Sequence, residues 1–80
     1  MSAIEIEVRF FAALRERFGE SQRQVSVPAG TTVAGLWTEL SGESTLSDNL
    51  RAAVNFEYVE PERLLSPGDE VAFFPPVTGG

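Results

Sequence analysis

Eighty residues with a net charge of −6, 42% hydrophobic content and neither Cys nor His describe one small domain with a thin core. At this length a folded chain buries only about 60–65% of the surface its unfolded form exposes. The missing thiols and imidazoles exclude a cystine framework and the usual zinc ligands, so packing alone must hold the core.

The six cationic residues are all Arg and are scattered, which argues against nucleic-acid binding and favours basic partners. No apolar run is long enough to span a bilayer, and the N-terminus shows no basic leader followed by an apolar stretch. A cytoplasmic protein with no membrane partner is the expectation. Without Lys, Cys or His, no side-chain amine, thiol or imidazole is present to attack an activated carbonyl on the same molecule.

"IEIEVRF" alternates, with Ile4, Ile6, Val8 and Phe10 on one face and Glu5, Glu7 and Arg9 on the other, as in a strand with one wet side. Phe11, Leu14 and Phe18 then recur at near-helical spacing, and Gly19 supplies a stop, so a short helical turn should follow with Arg15, Glu16 and Arg17 in water. "RQVSVPAG" reads as a second strand with Val25 and Val27 inward, ended by Pro28 and Gly30. Val33, Leu36, Trp37 and Leu40 fall at i, i+3, i+4 and i+7, one stripe of a main helix over about Thr32 to Ser41, capped by Thr31 or Thr32. On that stripe Trp37 reads as core packing rather than ligand stacking.

"SGESTLSDNL" is a polar connection, with Leu46 and Leu50 as anchors into the core. "RAAVNFEYVE" fits two readings, a single strand or a tight hairpin turning around Asn55 to Glu57; Asn favours the turn, Phe56 within it does not. "PERLLSPGDE" should tuck in Leu64 and Leu65 and turn tightly at Pro67-Gly68-Asp69. "EVAFF" then places Val71 and Phe73 on one face and Ala72 and Phe74 on the other; a strand apolar on both faces belongs inside a sheet or beneath a partner. The expected architecture is α+β, one mixed sheet with a helix across one face, over residues 1–74.

The remaining six residues, "PPVTGG", form an extended C-terminal tail over residues 75–80 in this reading. Pro75 and Pro76 cannot donate to a ladder, so pairing should stop near Phe74. Polyproline-type geometry, at ~3.1 Å per residue, would carry the Gly80 carboxylate roughly 15–20 Å beyond the sheet. Gly79 and Gly80 lack Cβ atoms and suit passage through a narrow channel toward a reacting group. An apolar "VAFFPPV" left in water calls for a partner that covers it.

"VRFFAALRE", "TTVAGLWTEL", "AAVN" and above all "GDEVAFFPPVTGG" resemble the small subunits of molybdopterin synthase, ubiquitin-like sulfur carriers, over essentially the whole chain. The segments "SGESTLSDNL" and "NFEYVEPER" match that family only loosely. The resemblance implies a ubiquitin-like β-grasp fold and a two-step use of the terminus. An adenylating enzyme related to ubiquitin activators would use ATP on the terminal carboxylate, and a sulfur donor protein would then convert it to a thiocarboxylate.

By the same resemblance Gly80 carries the sulfur, Gly79 threads beside it, and Phe74, Pro75, Pro76, Val77 and Thr78 are held by partners. The large subunit, in an expected heterotetramer, would supply the catalytic residues that deliver sulfur to cyclic pyranopterin monophosphate. The chain itself would bind no cofactor and no metal. Carriers for thiamine, tRNA thiolation or cysteine synthesis and ubiquitin-like protein modifiers share the ending and stay open as alternatives. So does a non-catalytic interaction domain, which would tolerate loss of Gly79 and Gly80.

Overall fold

The computed structural model describes residues 2–44, 46 and 50–75. Its elements run β1 (Ala3–Phe10), α1 (Ala13–Phe18), β2 (Gln22–Pro28), α2 (Val33–Ser41), β3 (Arg51–Val54), β4 (Glu57–Val59) and β5 (Glu70–Phe74). They build one five-stranded sheet in the order β2-β1-β5-β3-β4. β1 pairs antiparallel with β2 and parallel with β5, while β3 pairs antiparallel with both β4 and β5. This mixed sheet around one main helix is the α+β, β-grasp arrangement expected above. Among the described residues no helix is long and apolar enough to cross a membrane.

Alternation sorts the two faces of the sheet. Ile4, Ile6, Val8 and Phe10 of β1, Ala52 and Val54 of β3, and Val71 and Phe73 of β5 are buried on the face that meets α2. From α2, Val33, Leu36 and Trp37 are fully buried against them, and Leu40 packs at the margin of the same cluster. Trp37 is the keystone, its ring centroid 5.0 Å from that of Phe73 and 5.8 Å from that of Phe18, with Phe18 in turn stacked on Phe10 at 4.4 Å. Its indole N–H donates to Glu43 Oε1 at 3.0 Å, so the one polar atom of the largest core side chain is satisfied. Leu46 and Leu50 pack against this core, as the anchors expected of the connection.

Both helices stop on a glycine in the left-handed conformation, Gly19 at φ 79 and Gly42 at φ 80. Thr32 is the N-cap of α2, accepting from the Gly35 N–H at 3.0 Å. The next free donors of that helix end go to the later loop: Val33 N–H to the Arg63 carbonyl at 3.0 Å and Ala34 N–H to the Pro61 carbonyl at 2.9 Å.

The same loop corrects one expectation. Leu65 is buried, but Leu64 is 61% exposed. Leu64 bridges Thr32 in extended backbone, where consecutive side chains point to opposite sides, so only one of the pair can enter the core.

Phe11 is corrected as well. It does not share a helical stripe with Leu14 and Phe18, because α1 begins only at Ala13 and Phe11 is 48% exposed. Ala12, at φ 54, turns the chain between the strand and α1 and leaves Phe11 on the outer side.

Of the two readings of residues 51–60, the hairpin is the one adopted. β3 and β4 are joined by a two-residue turn with Val54 opposite Glu57 and both central residues left-handed, Asn55 at φ 51 and Phe56 at φ 72. Positive φ at both positions defines the type I′ turn whose twist matches the strands it joins. Asn tolerates that conformation, whereas Phe carries a strain of ~1 kcal/mol or more there.

Candidate functional site

The sheet's outer face, opposite α2, is built by the residues alternating with the core. β5 contributes Ala72 and Phe74, flanked by Arg9 of β1 and by Ala53 and Arg51 of β3 in the observed registers. Tyr58 of β4 lies opposite Ala53 and brings its ring centroid to 5.7 Å from that of Phe74. An open groove of about 450 Å³ runs over this face, with Ala53, Ala72 and Phe74 as its floor and Phe11 and Phe56 at its ends. Phe11, Phe56 and Tyr58 are all large exposed side chains, at 48%, 88% and 76%. A cluster of exposed aromatics around one groove, on a domain this small, marks a surface made to be covered.

Charge closes one side of the groove. Arg9 Nη2 donates to Glu7 Oε2 at 3.1 Å, and its Nε lies 3.0 Å from Glu70 Oε2 as an ion pair without a hydrogen bond. Both acids stand at neighbouring positions of β1 and β5, where like charges would repel, so Arg9 between them holds the pair together.

A second polar cluster fixes the hairpin to the start of β5. Buried Asp69 accepts from the Ser66 N–H at 2.8 Å, from Asn55 Nδ2 at 3.0 Å and from Arg63 Nη1 at 3.0 Å. Asn55 also accepts from the Glu70 N–H at 3.0 Å through its Oδ1, and its own N–H donates to the Glu70 carbonyl at 2.8 Å. Burial alone would push the Asp69 carboxyl up, but the Ser66 N–H, the Asn55 amide and the Arg63 guanidinium outweigh it and hold the carboxyl below its ordinary range.

A carboxylate so held contributes stability above its unfolded pKa, and that contribution is lost as pH falls through the lower folded value. Urea unfolding of the wild-type chain is therefore expected to show stability declining below about pH 4. An Asp69→Asn variant should be less stable at neutral pH and flatter across that acid range; equal acid slopes would remove Asp69 as the cause.

Of the residues expected at the site, Phe74 ends β5 on the outer face, half-buried, and Pro75 follows it exposed and outside the sheet. Strand pairing ends at Phe74, opposite Arg51, as the prolines required. Pro76, Val77, Thr78, Gly79 and Gly80 lie outside the described residues. Sequence reasoning missed Phe11, Phe56 and Tyr58 as surface neighbours of Phe74. The available signal was the apolar outer face of "EVAFF", which called for aromatic company on adjacent strands once their order was known.

Comparison with known proteins agrees with this geometry. The model of the ThiS family matches residues 8–80. The chain is 43% identical to the molybdopterin synthase sulfur carrier subunit of Escherichia coli (strain K12), covering 94% of this chain and 99% of that protein. It is 35% identical to the human protein of the same name, over 95% of this chain and 94% of the other. The crystal structure of H. volcanii small archaeal modifier protein 1 superposes with a TM-score of 0.82 at 28% identity, covering 92% of this chain and 99% of that one. Matched from β1 through Gly80, and aligned with sulfur carrier subunits along nearly their full length, the chain belongs to the ThiS family.

Proposed function

We propose that this protein is the sulfur carrier of a molybdopterin synthase, acting in the cytoplasm as a co-substrate rather than as a catalyst. The observation that supports it most directly is end-to-end similarity to sulfur carrier subunits of that enzyme, which includes the "GDEVAFFPPVTGG" segment. The exposed aromatic groove beside Phe74 supports a large partner that covers the outer face.

In this reading the Gly80 carboxylate, an anion and a poor electrophile at neutral pH, attacks the α-phosphorus of ATP on an adenylating enzyme and releases pyrophosphate. Sulfide-level sulfur from a donor protein then attacks the acyl carbon, the C–O bond to AMP breaks, and a thiocarboxylate remains. Gly79 gives the backbone its narrow passage into each partner's active site. On the large subunit, in a complex of two small and two large chains, the thiocarboxylate sulfur attacks the carbon skeleton of cyclic pyranopterin monophosphate. Water then cleaves the acyl C–S bond to return the Gly80 carboxylate, and a second carrier delivers the second dithiolene sulfur. In this reading the catalytic residues come from that subunit; this chain offers no His, Lys or Cys.

Intact mass of the protein from its native host, followed by incubation with the large subunit and the pterin precursor, tests the proposal. One terminal oxygen replaced by sulfur, and loss of that sulfur with formation of the dithiolene, is the expected result. A chain that never carries sulfur would end the carrier reading. The likeness to an archaeal modifier protein favours a second reading, attachment of Gly80 to lysines of other proteins. Conjugates of higher mass in the same host, without pterin activity, would support it.

Phe74→Asp should leave the fold intact, because the side chain is on the outer face, yet weaken binding of the large subunit by roughly 2 kcal/mol or more. Titration calorimetry reads this directly, and unaltered affinity would remove Phe74 from the interface.

A further inference from the structure

The hairpin tip carries a contradiction between local conformation and residue choice. A two-residue type I′ turn favours Asn-Gly, and here the second position, at φ 72, holds Phe56. The ring gains nothing inside the molecule, since it is 88% exposed, yet it stands at one end of the outer-face groove whose floor includes Ala53, Ala72 and Phe74. The turn is also held rigidly: the Asn55 N–H donates to the Glu70 carbonyl, its side-chain Oδ1 accepts from the Glu70 N–H, and its Nδ2 donates to Asp69. A strained, anchored and fully projected aromatic is arranged for contact with another molecule.

We infer that Phe56 is a partner anchor, an aromatic retained at a strained turn position because it fills an apolar pocket with a cationic rim on the protein that receives the tail. The inference rests on the carrier reading and names a specificity residue for it. Two features define the occupant. The groove includes both Phe56 and Phe74, and Phe74 is the last strand residue before Pro75 and the tail, so one partner spans both. The charges of the outer face are mainly acidic: Glu5 and Glu7 alternate with the core residues of β1 and Glu70 stands beside them on β5, around Arg9, with Arg51 at the far end opposite Phe74, and the whole chain carries −6. Complementarity then asks for Lys or Arg around the partner's pocket.

Binding of the large subunit from the same organism, measured by surface plasmon resonance beside thermal melting of the free chain, tests this with Phe56→Gly and Phe56→Ala. Phe56→Gly should raise Tm by a few degrees, because Gly adopts positive φ without strain, and should weaken binding at least ten-fold. Phe56→Ala keeps the strained backbone, so it should weaken binding similarly with little gain in Tm. The wild-type association rate should fall as salt rises. Full affinity in both variants would overturn the anchor while leaving the carrier reading intact; a salt-independent rate would overturn the cationic rim; an unchanged Tm in Phe56→Gly would overturn the strain. No binding by the wild-type chain would instead sink the carrier reading and the anchor with it.

Discussion

A chain lacking Gly79 and Gly80 is expected to melt as the wild type does and to lose sulfur transfer completely. Stability should not change because the core, the sheet registers and the polar cluster at Asp69 all lie at or before Phe74. Activity should vanish because the new terminal carboxylate, on Thr78, stops two residues short and brings a β-branched side chain where the glycines would pass. Gly79→Trp separates geometry from chemistry: the carboxylate survives, but an indole beside it should block entry to partner active sites and reduce product formation by several orders of magnitude. Product formed from the pterin precursor, against the melting curve of the same preparation, gives the answer. Appreciable turnover by the truncated chain would refute the carrier mechanism.

The largest effect on folding is expected from Trp37→Ala. Trp37 is wholly buried and touches Phe18 and Phe73, so truncation leaves a cavity between α2 and β5. Truncating a buried aromatic to Ala costs about 3–5 kcal/mol. A domain of this length holds only roughly 4–12 kcal/mol in total. Glu43 also loses the donor at 3.0 Å that joins its carboxylate to the core. Urea denaturation should therefore show a midpoint reduced by about half or a chain unfolded in water, and a loss under 1 kcal/mol would contradict the packing described for Trp37.

The regular elements were legible because their periods are clean. Ile4, Ile6, Val8 and Phe10 alternate without interruption, and Val33, Leu36, Trp37 and Leu40 mark one stripe, so β1 and α2 follow from spacing alone. Other features depend on contacts that no local pattern encodes. Which of Leu64 and Leu65 faces inward is decided by the bridge from Leu64 to Thr32, on a different part of the chain. Phe11 sits within the apolar run of residues 10–14 and would suit a helix, but the left-handed Ala12 turns it outward.

The candidate site divides in the same way. Phe74 was readable from the alternation of β5, since an outward Phe next to Pro75 has no core to enter. The groove itself was not, because it exists only when the order β1-β5-β3 sets Ala72 and Phe74 between Arg9 and Ala53. The Asp69 cluster joins residues 14 positions apart through side chains, and spacing gives no sign of it.

β5 is an interior strand, bonded to β1 on one side and β3 on the other. A pull on the segment beyond Phe74 is therefore shared by two ladders loaded in shear, whereas an outermost strand would peel away one bond at a time. In the carrier reading, enzymes that grip and release the end in succession can tug on it without unravelling the body to which it is tied.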